Sequence, residues 1–303
     1  MTKVCAVIVT FNRPELLCRC VKNLLNQDYP LDILVYDNHS SVDTKQFLSD
    51  NGLLKENVNY YFAEENTGGS GGFHNGMKMA TELGYDALWL MDDDGYPVNS
   101  NTLSTIVDAW ENKLNKKNCL LNSLVISDVE TFNLSFSLDR EYDGFKMIKR
   151  AENGLLREFV SPFNGTFLPT ELVKEIGYPI KEFFVYGDET EYTLRVKSHG
   201  YNLYTAVDSV YFHPSMVCKK KKLFGFEISI SNTPLWKDYC SARNTMYYCK
   251  KYFNKRVIFK KIIRNYIGCL FSENNRALKF KETTKGIKDG LKGNLSRKLD
   301  LSK

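Results

Sequence analysis

The sequence predicts an α/β fold in which a mostly parallel central sheet is flanked by helices and followed by a helical C-terminal extension. Strand-like and helix-like segments alternate through the first hundred residues. Such alternation is typical of parallel sheets, because parallel neighbours need a crossover connection that is usually a helix. The chain has 303 residues, of which 43% are hydrophobic and 25% charged. This composition is ordinary for a globular protein with one large domain and an appendage.

The elements of the first half follow from apolar runs and helical periodicity. "KVCAVIVT" predicts a buried strand, Pro14 begins the next helix, and "LDILVYD" is the second strand. "VDTKQFLSDN" predicts a helix and "NVNYYFAE" a strand. A glycine-rich stretch then opens a further helix, and "DALWLMD" predicts the fourth strand. Ligands of such sheets bind at the carboxyl ends of the strands.

The second half is less regular. Residues 119–168 contain short extended pieces and turn residues, which predict a hairpin excursion before the sheet resumes at "FVSPFNGTFLP". Two helices ended by Gly177 and Gly200 and a strand ending at His213 follow. We therefore predict a catalytic domain over residues 1–233 and a helical, basic region over residues 234–303.

The charge is unevenly distributed. Residues 250–303 contain sixteen Lys and Arg against four Asp and Glu, a charge of +12, which leaves −7 of the total of +5 for residues 1–249. "KKYFNKRVIFKKIIRNYIGCLF" mixes these bases with apolar residues at partly helical spacing. Such a segment suits an anionic membrane surface, and equally a helix that packs on the domain with a solvated basic face. Nucleic acid is disfavoured by the acidic remainder and the lack of a known binding module.

The cysteines and apolar runs bear on localisation. The eight cysteines form no CxxC pair, which favours a reducing, cytoplasmic setting over a disulfide framework or a zinc site. The N-terminus lacks the pattern of a secretory signal. No run approaches the roughly 18 apolar residues of a membrane span. We expect a cytoplasmic protein, peripheral on the inner face of the cell membrane if its basic region binds lipid.

The fourth predicted strand runs directly into Asp92, Asp93 and Asp94. Adjacent carboxylates are costly to bury unless a cation lies among them, although a surface turn closed by Gly95 and Pro97 is also consistent with the pattern. Asp92 and Asp94 lie two positions apart, and Mn²⁺ or Mg²⁺ prefers oxygen ligands of this kind together with substrate phosphates. In an alternating geometry Asp93 points away from them.

Two further stretches contain residues suited to ligand binding or catalysis. "ENTGGSGGFHNGM" has five glycines at a helix start, where free N–H groups suit anionic or hydroxyl-rich ligands, although a flexible turn is the alternative. "FFVYGDETEYTLR" places Asp188, Glu189 and Glu191 at the start of a helix. These carboxylates are either an ordinary N-terminal cap or, beside an aromatic wall, a source of a general base. His213 is either a metal ligand or a capping or core histidine.

Taken together, "AVIVTFNRPELL", "VYDNHSSVD", "LWLMDDDGYP", "VYFHPSM" and the two stretches above resemble family 2 glycosyltransferases with a GT-A fold. The glycine-rich string, the aspartate run and "DYCSARNTMYY" look most like bacterial galactofuranosyltransferases and rhamnosyltransferases. The resemblance spans residues 3 to about 250. It implies inverting, Mn²⁺- or Mg²⁺-dependent transfer of a sugar, with galactofuranose from UDP-galactofuranose favoured over a dTDP-linked deoxyhexose. The acceptor would be a glycan or lipid-linked, as in the synthesis of a bacterial surface polysaccharide such as O-antigen or capsule.

The resemblance also implies roles for individual residues. Glu189 would be the catalytic base, with Asp188 as the neighbouring alternative, and Asp92, Asp94 and His213 would bind the metal. The remaining residues divide into two groups. The residues expected to bind the donor are Thr10, Asn12, Arg13, Asp37, Asn66, Gly68, Gly69, Gly71, Gly72, Asp92 and Asp93. Those expected on the acceptor or diphosphate side are Trp89, Glu191, Arg243 and Asn244, although Arg243 is equally consistent with a buried structural role.

Two other functions remain open from the sequence. A sugar nucleotidyltransferase would need a basic, glycine-rich loop directly after the first strand, where "TFNRPELL" offers one Arg and no Gly. A non-catalytic nucleotide-binding subunit is disfavoured by the carboxylates present in both acidic stretches.

Overall fold

A computed structural model of the chain describes residues 1–138, 141–215, 219–223, 226–230, 233–272 and 275–301. The described residues form two compact units. Unit 1 comprises Met1–Lys181 and Tyr192–Ser215, and unit 2 comprises Glu182–Glu191 and Met216–Lys303. The two units do not meet at the predicted boundary between residues 233 and 234. That boundary stays a prediction.

The strands and helices alternate in the first hundred residues as the sequence predicts. The strands are β1 (Val4–Thr10), β2 (Leu31–Asp37), β3 (Val58–Phe62), β4 (Ala87–Asp92), β5 (Tyr96–Pro97), β6 (Cys119–Ile126), β7 (Asn133–Leu138), β8 (Glu141–Asp143), β9 (Leu155–Arg157), β10 (Thr166–Pro169), β11 (Asn202–Phe212), β12 (Lys219–Leu223) and β13 (Phe226–Ile230). The helices are α1 (Pro14–Leu25), α2 (Thr44–Asp50), α3 (Gly68–Glu82), α4 (Thr102–Asp108), α5 (Gly144–Arg150), α6 (Thr170–Ile176), α7 (Asp188–Ser198), α8 (Leu235–Tyr252), α9 (Lys255–Leu270) and α10 (Arg276–Lys292). A π-helical turn over Ala109–Lys113 extends α4, and a 3₁₀ turn spans Lys181–Phe183.

Unit 1 is built on one sheet with the strand order β3-β2-β1-β4-β10-β6-β11-β5. Strands β1 to β4 are parallel, as are β6 and β11, whereas β10 runs antiparallel to both β4 and β6. The expectation of a hairpin excursion over residues 119–168 is wrong for β6. All eight residues of that strand are buried in the main sheet, and only β7 to β9 lie off its main path.

Alternate residues of β1 face opposite sides of the sheet. Ala6 and Ile8 pack with α1 and α4 on one side, whereas Val7 and Val9 pack with α3, α6 and α7 on the other. Because both faces are covered by helices, the strand reads as one continuous apolar run. The carboxyl ends of β1, β2 and β4 therefore lie side by side at one edge of the core.

Unit 2 contains a hairpin of β12 and β13 and the three C-terminal helices. Helices α8 and α10 pack closely, since a Cβ added at Gly290 would lie 2.1 Å from the Arg243 carbonyl oxygen. Helix α9 joins them through a small cluster around Met246 and Ile287. Among the described residues, no helix combines the length and the apolar character needed to cross a membrane.

Candidate active site

The aspartate run lies at the edge of the unit 1 sheet. Asp92 is the last residue of β4, and the turn after it leads directly into β5, which pairs with the end of β11. Gly95 is needed in that turn because an added Cβ would lie 2.6 Å from the ring of Tyr211. This pairing brings Asp94 to His213, the residue that follows β11.

Asp92, Asp94 and His213 form a cluster in which one ligand atom from each residue lies within 4.8 Å of the others. The Nε2 atom of His213 is 3.4 Å from Oδ1 of Asp94. That oxygen is buried and has no hydrogen-bond partner among the described residues. Burial lowers the pKa of His213, which favours the neutral imidazole that can ligate a cation, although Asp94 opposes this shift.

This donor set fits a divalent cation. Two carboxylates and one imidazole are compatible with a divalent cation such as Mn²⁺, and three protein ligands leave positions open for substrate oxygens. An unpartnered buried carboxylate oxygen is costly in a folded protein unless something binds it. The predicted ligands are therefore brought together, and the surface-turn alternative does not account for the buried Oδ1 atom of Asp94.

Asp93 differs from its two neighbours. It is buried and accepts hydrogen bonds from Oγ1 of Thr10 at 2.8 Å and from Nη1 of Arg13 at 3.2 Å. Burial raises the pKa of Asp93 to about 6, while the Arg13 charge and the Thr10 hydrogen bond act against that rise. The same Arg13 nitrogen is 3.1 Å from Asp94. Asp93 thus ties the ends of β1 and β4 together, and Arg13 partly neutralises the aspartate run.

The remaining donor-side residues differ in exposure. Asn12 and Arg13 are exposed, whereas Thr10 and Asp37, neighbours in the register of β1 and β2, are buried. Both oxygens of Asp37 accept hydrogen bonds, from the Tyr60 hydroxyl and the Ser40 amide. The Asp37 side chain therefore orders the loop after β2, and its contact with the nucleotide stays a prediction.

The glycine-rich string has a structural explanation for several of its members. A Cβ added at Gly72 would lie 2.5 Å from Val9, so this glycine lets α3 approach β1, and one at Gly71 would lie 2.4 Å from Thr67. Gly68 has φ of +70°. A Cβ added at Gly69, in contrast to those at Gly71 and Gly72, would meet no atom within 4 Å.

Asn38 was not among the predicted site residues, but it organises this turn. Its amide nitrogen donates to the Asn66 side chain at 3.1 Å and to the Gly68 carbonyl at 2.9 Å, and its oxygen accepts from the Thr67 amide. Asn66 also accepts from the Gly68 amide at 2.9 Å. The position of Asn38 directly after β2 was the available signal.

In unit 2, the start of α7 is held by a pair of buried residues from α8. The Asn244 amide nitrogen donates to the carbonyls of Phe183, Val185 and Tyr186 at 2.7 to 3.0 Å. Arg243 donates through Nη2 to the carbonyls of Glu182 and Phe183 and through Nε to Asn244. The segment 182–187 contains positive φ angles at Phe184, Tyr186 and Gly187, a conformation that needs such support.

The carboxylates that follow this segment are not equivalent. Asp188 is buried, Glu189 is partly exposed, and Glu191 is fully buried and accepts a hydrogen bond from the Tyr252 hydroxyl at 2.8 Å. Glu189 remains the predicted base, and Asp188 remains its alternative.

The four residues expected on the acceptor or diphosphate side are all buried. Trp89 is fully buried in the core, where its ring lies 6.4 Å from that of Tyr211. Arg243, Asn244 and Glu191 are at most 1% exposed. Burial of this extent favours structural roles for all four side chains, and their contact with a ligand stays a prediction.

Comparisons with known proteins agree with this architecture. The model of the Glycosyl transferase family 2 matches residues 5–166. Galactofuranosyltransferase GlfT1 of Mycolicibacterium smegmatis (strain ATCC 700084 / mc(2)155) is 30% identical over 231 residues, which cover 73% of this chain and 74% of that protein. GlfT1 of Mycobacterium tuberculosis (strain ATCC 25618 / H37Rv) is 29% identical over 216 residues, covering 69% of each chain.

Among solved structures, S. aureus TarS 1-349 matches with a TM-score of 0.54 at 15% identity, over 99% of this chain and 76% of that one. GalNAc-T7 with UDP, GalNAc and Mn²⁺ matches with a TM-score of 0.64 at 12% identity, over 96% and 56% of the two chains. These likenesses concern the fold, which is GT-A. The protein is thus a nucleotide-sugar glycosyltransferase. It belongs to glycosyltransferase family 2 and is similar to the galactofuranosyltransferases within it.

Proposed function

We propose that the protein is a metal-dependent, inverting galactofuranosyltransferase that uses UDP-galactofuranose. The single observation that carries the metal dependence is the cluster of Asp92, Asp94 and His213 with its unpartnered carboxylate oxygen. The choice of sugar is supported by the similarity to GlfT1 over more than two thirds of each chain. The structure of GalNAc-T7 with UDP and Mn²⁺ gives independent support for a cation in this fold.

The donor is proposed to bind at the carboxyl ends of β1, β2 and β4. Asn12 and Arg13 are exposed there, and Arg13 offers a positive charge beside the aspartates. Thr10 and Asp93 hold this edge in place through their hydrogen bond. Mn²⁺ or Mg²⁺ held by the cluster would supply Lewis acidity that neutralises the charge of the leaving diphosphate.

The base is proposed to be Glu189 or Asp188, at the start of α7. A carboxylate there takes the proton of an acceptor hydroxyl as its oxygen bonds to the anomeric carbon. The bond from that carbon to the diphosphate breaks on the opposite face, so that UDP leaves and the configuration inverts. Arg243 and Asn244 would act on the base indirectly, through their hydrogen bonds to the backbone of residues 182–187, which leads into this helix.

Single isosteric substitutions distinguish the two carboxylates. Loss of a general base typically slows turnover by about 10²- to 10⁴-fold. We expect Glu189→Gln to lower turnover by this factor while a Mn²⁺-dependent thermal shift with UDP stays unchanged. A result in which Asp188→Asn is inactive and Glu189→Gln behaves as wild type would transfer the role to Asp188. Wild-type turnover in both variants would refute the proposal of a base on this turn.

The acceptor is proposed to be a glycan or a lipid-linked saccharide of a bacterial surface polysaccharide. The reaction would then take place in the cytoplasm, at the inner face of the cell membrane where the acceptor is lipid-linked. No helix of the described residues spans a bilayer, so contact with lipid would be peripheral.

A donor panel tests the proposed sugar and nucleotide. UDP-galactofuranose, other UDP-sugars and a dTDP-linked deoxyhexose are compared with Mn²⁺ present, by nucleotide release and thermal shift. We expect UDP release from UDP-galactofuranose. Stabilisation by dTDP but not by UDP would favour the rhamnosyltransferase alternative. Release of pyrophosphate from a nucleoside triphosphate would favour the nucleotidyltransferase alternative.

A further inference from the structure

Helix α9 of unit 2 has apolar residues on two of its faces. The inner face completes the small core of this unit, which explains how the helix is fixed in place. The residues concerned are Ile258, Ile262 and Tyr266, which pack with Ala242, Met246 and Ile287.

The outer face of α9 has a second apolar row. Phe259 is 63% exposed, Ile263 43%, Ile267 38% and Leu270 59%. At about 100° per residue these four side chains fall within an arc of about 80° on the helix. Of the nineteen large hydrophobic side chains exposed among the described residues, seven lie between residues 253 and 280. Contiguous exposed apolar rows are uncommon on monomeric proteins and mark interaction sites.

Positive charge surrounds this row. Helix α9 has five basic residues and no acidic one. Lys260 and Arg264 flank the apolar row on one side and Lys255 flanks it on the other, and all three are exposed. A helix with an exposed apolar row bordered by Lys and Arg is typical of segments that lie in the plane of a membrane interface.

We propose that this outer face of α9 binds the surface of an anionic lipid bilayer, with the helix parallel to the membrane plane. The proposal goes beyond the transfer reaction and does not depend on it. Phe259, Ile263 and their apolar neighbours would enter the boundary between headgroups and acyl chains, while the basic side chains remain among the headgroups. A second copy of the chain is a poorer partner for the same face, because a symmetric contact would oppose two helices with five positive charges each.

Sedimentation of the full chain with lipid vesicles tests the proposal. We compare phosphatidylcholine vesicles with vesicles that also contain about 30% phosphatidylglycerol. The wild-type chain should bind the anionic vesicles only, and binding should weaken with added salt. Phe259→Ser with Ile263→Ser should weaken it by at least about tenfold, and Lys260→Glu with Arg264→Glu by about 25-fold or more.

Matched control variants distinguish binding through this face from non-specific adsorption to vesicles. Leu83 in unit 1 is 63% exposed, the same fraction as Phe259. Leu83→Ser and the pair Lys45→Glu with Lys55→Glu, all at exposed positions, should bind as wild type. Circular dichroism and thermal unfolding should show that every variant is folded.

A gain-of-signal variant avoids reliance on loss of binding. Phe259→Trp should give a blue shift of fluorescence over wild type when anionic vesicles are added, because the indole leaves water. The proposal would be overturned if the wild-type chain did not bind anionic vesicles, or if the serine variants bound them as tightly as wild type. It would also be overturned if the fluorescence emission of Phe259→Trp did not shift relative to wild type. It would also be overturned by a dimer in solution that dissociates in the Phe259 and Ile263 variant, since a second copy would then cover the face.

Discussion

The two carboxylate-bearing turns of this protein are held in place by different means. Asp93 and Asp94 are anchored by charged and hydroxyl side chains from the neighbouring strand end, chiefly Thr10 and Arg13. The turn before Asp188 is instead anchored through its backbone carbonyls, which accept hydrogen bonds from Asn244 and Arg243. These donors lie about sixty residues further along the chain.

The difference has a physical basis. At the aspartate run the problem is charge repulsion, which cations relieve, and burial still raises the pKa of Asp93 to about 6. At the second turn the problem is an irregular backbone with three positive φ angles in residues 184–187, which amide and guanidinium donors relieve by satisfying its carbonyls. The first turn is thus stabilised by charged and polar side chains at the adjacent strand end. The second is stabilised by side chains far along the sequence that bind its backbone.

Among the substitutions that test how the two turns are anchored, the change to a metal ligand should have the largest effect on activity. Asp94→Asn is expected to lower turnover by about 10²- to 10³-fold, since metal stabilisation of a leaving group contributes several kcal/mol. It should also abolish the thermal shift caused by Mn²⁺. Asp50→Asn, at an exposed position on α2, serves as the control. Undiminished Mn²⁺ stabilisation of Asp94→Asn would show that the cation binds elsewhere.

Removal of the distant anchor should give the next largest effect. Asn244→Ala removes one donor from each of the carbonyls of Phe183, Val185 and Tyr186, and we expect a loss of about 1–3 kcal/mol in the free energy of unfolding, together with reduced turnover. The Mn²⁺ thermal shift should persist, because the metal ligands are not altered. Chemical unfolding with Thr245→Ala, the next residue of α8, as the control measures the difference. An unaffected Asn244→Ala enzyme would mean that the turn holds its own conformation.

Two glycines of α3 should separate packing from ligand contact, with the smallest effects. Gly72→Ala introduces a Cβ 2.5 Å from Val9 and should destabilise the fold by about 1–3 kcal/mol. Gly69→Ala meets no atom within 4 Å and should be neutral or stabilising by up to about 1 kcal/mol. If Gly69→Ala retains stability but raises KM for the donor, this glycine contacts substrate. Equal stability of the two variants would contradict the packing explanation of Gly72.

Much of the first turn could be predicted from the sequence. An apolar strand running into three aspartates, with Thr10 and Arg13 after another such strand, places these groups at one sheet edge by the rules of parallel sheets. The role of Gly95 and the pairing of β5 with β11 could not be foreseen, because a two-residue strand leaves no periodic signal. The sequence predicts that Arg243 and Asn244 lie on a helix, but it does not reveal that their partners are backbone carbonyls.

Helix α9 shows the same limit. Its apolar residues occur on two faces, so their periodicity is blurred, and the sequence left membrane contact and packing on the domain equally open. In the structure one row is buried and the other exposed. One face therefore packs within unit 2, and the other is the face for which we propose membrane contact.

The sequence by itself determined the succession of strands and helices at the start of the chain, the family and the chemical types available at the strand ends, because these depend on local periodicity and on residue identity. Tertiary structure alone decided which of those residues are accessible. Trp89, Asp37, Arg243 and Asn244 bear suitable chemistry but are buried. Burial depends on which distant segments pack over a residue, and no local pattern in the chain specifies that packing.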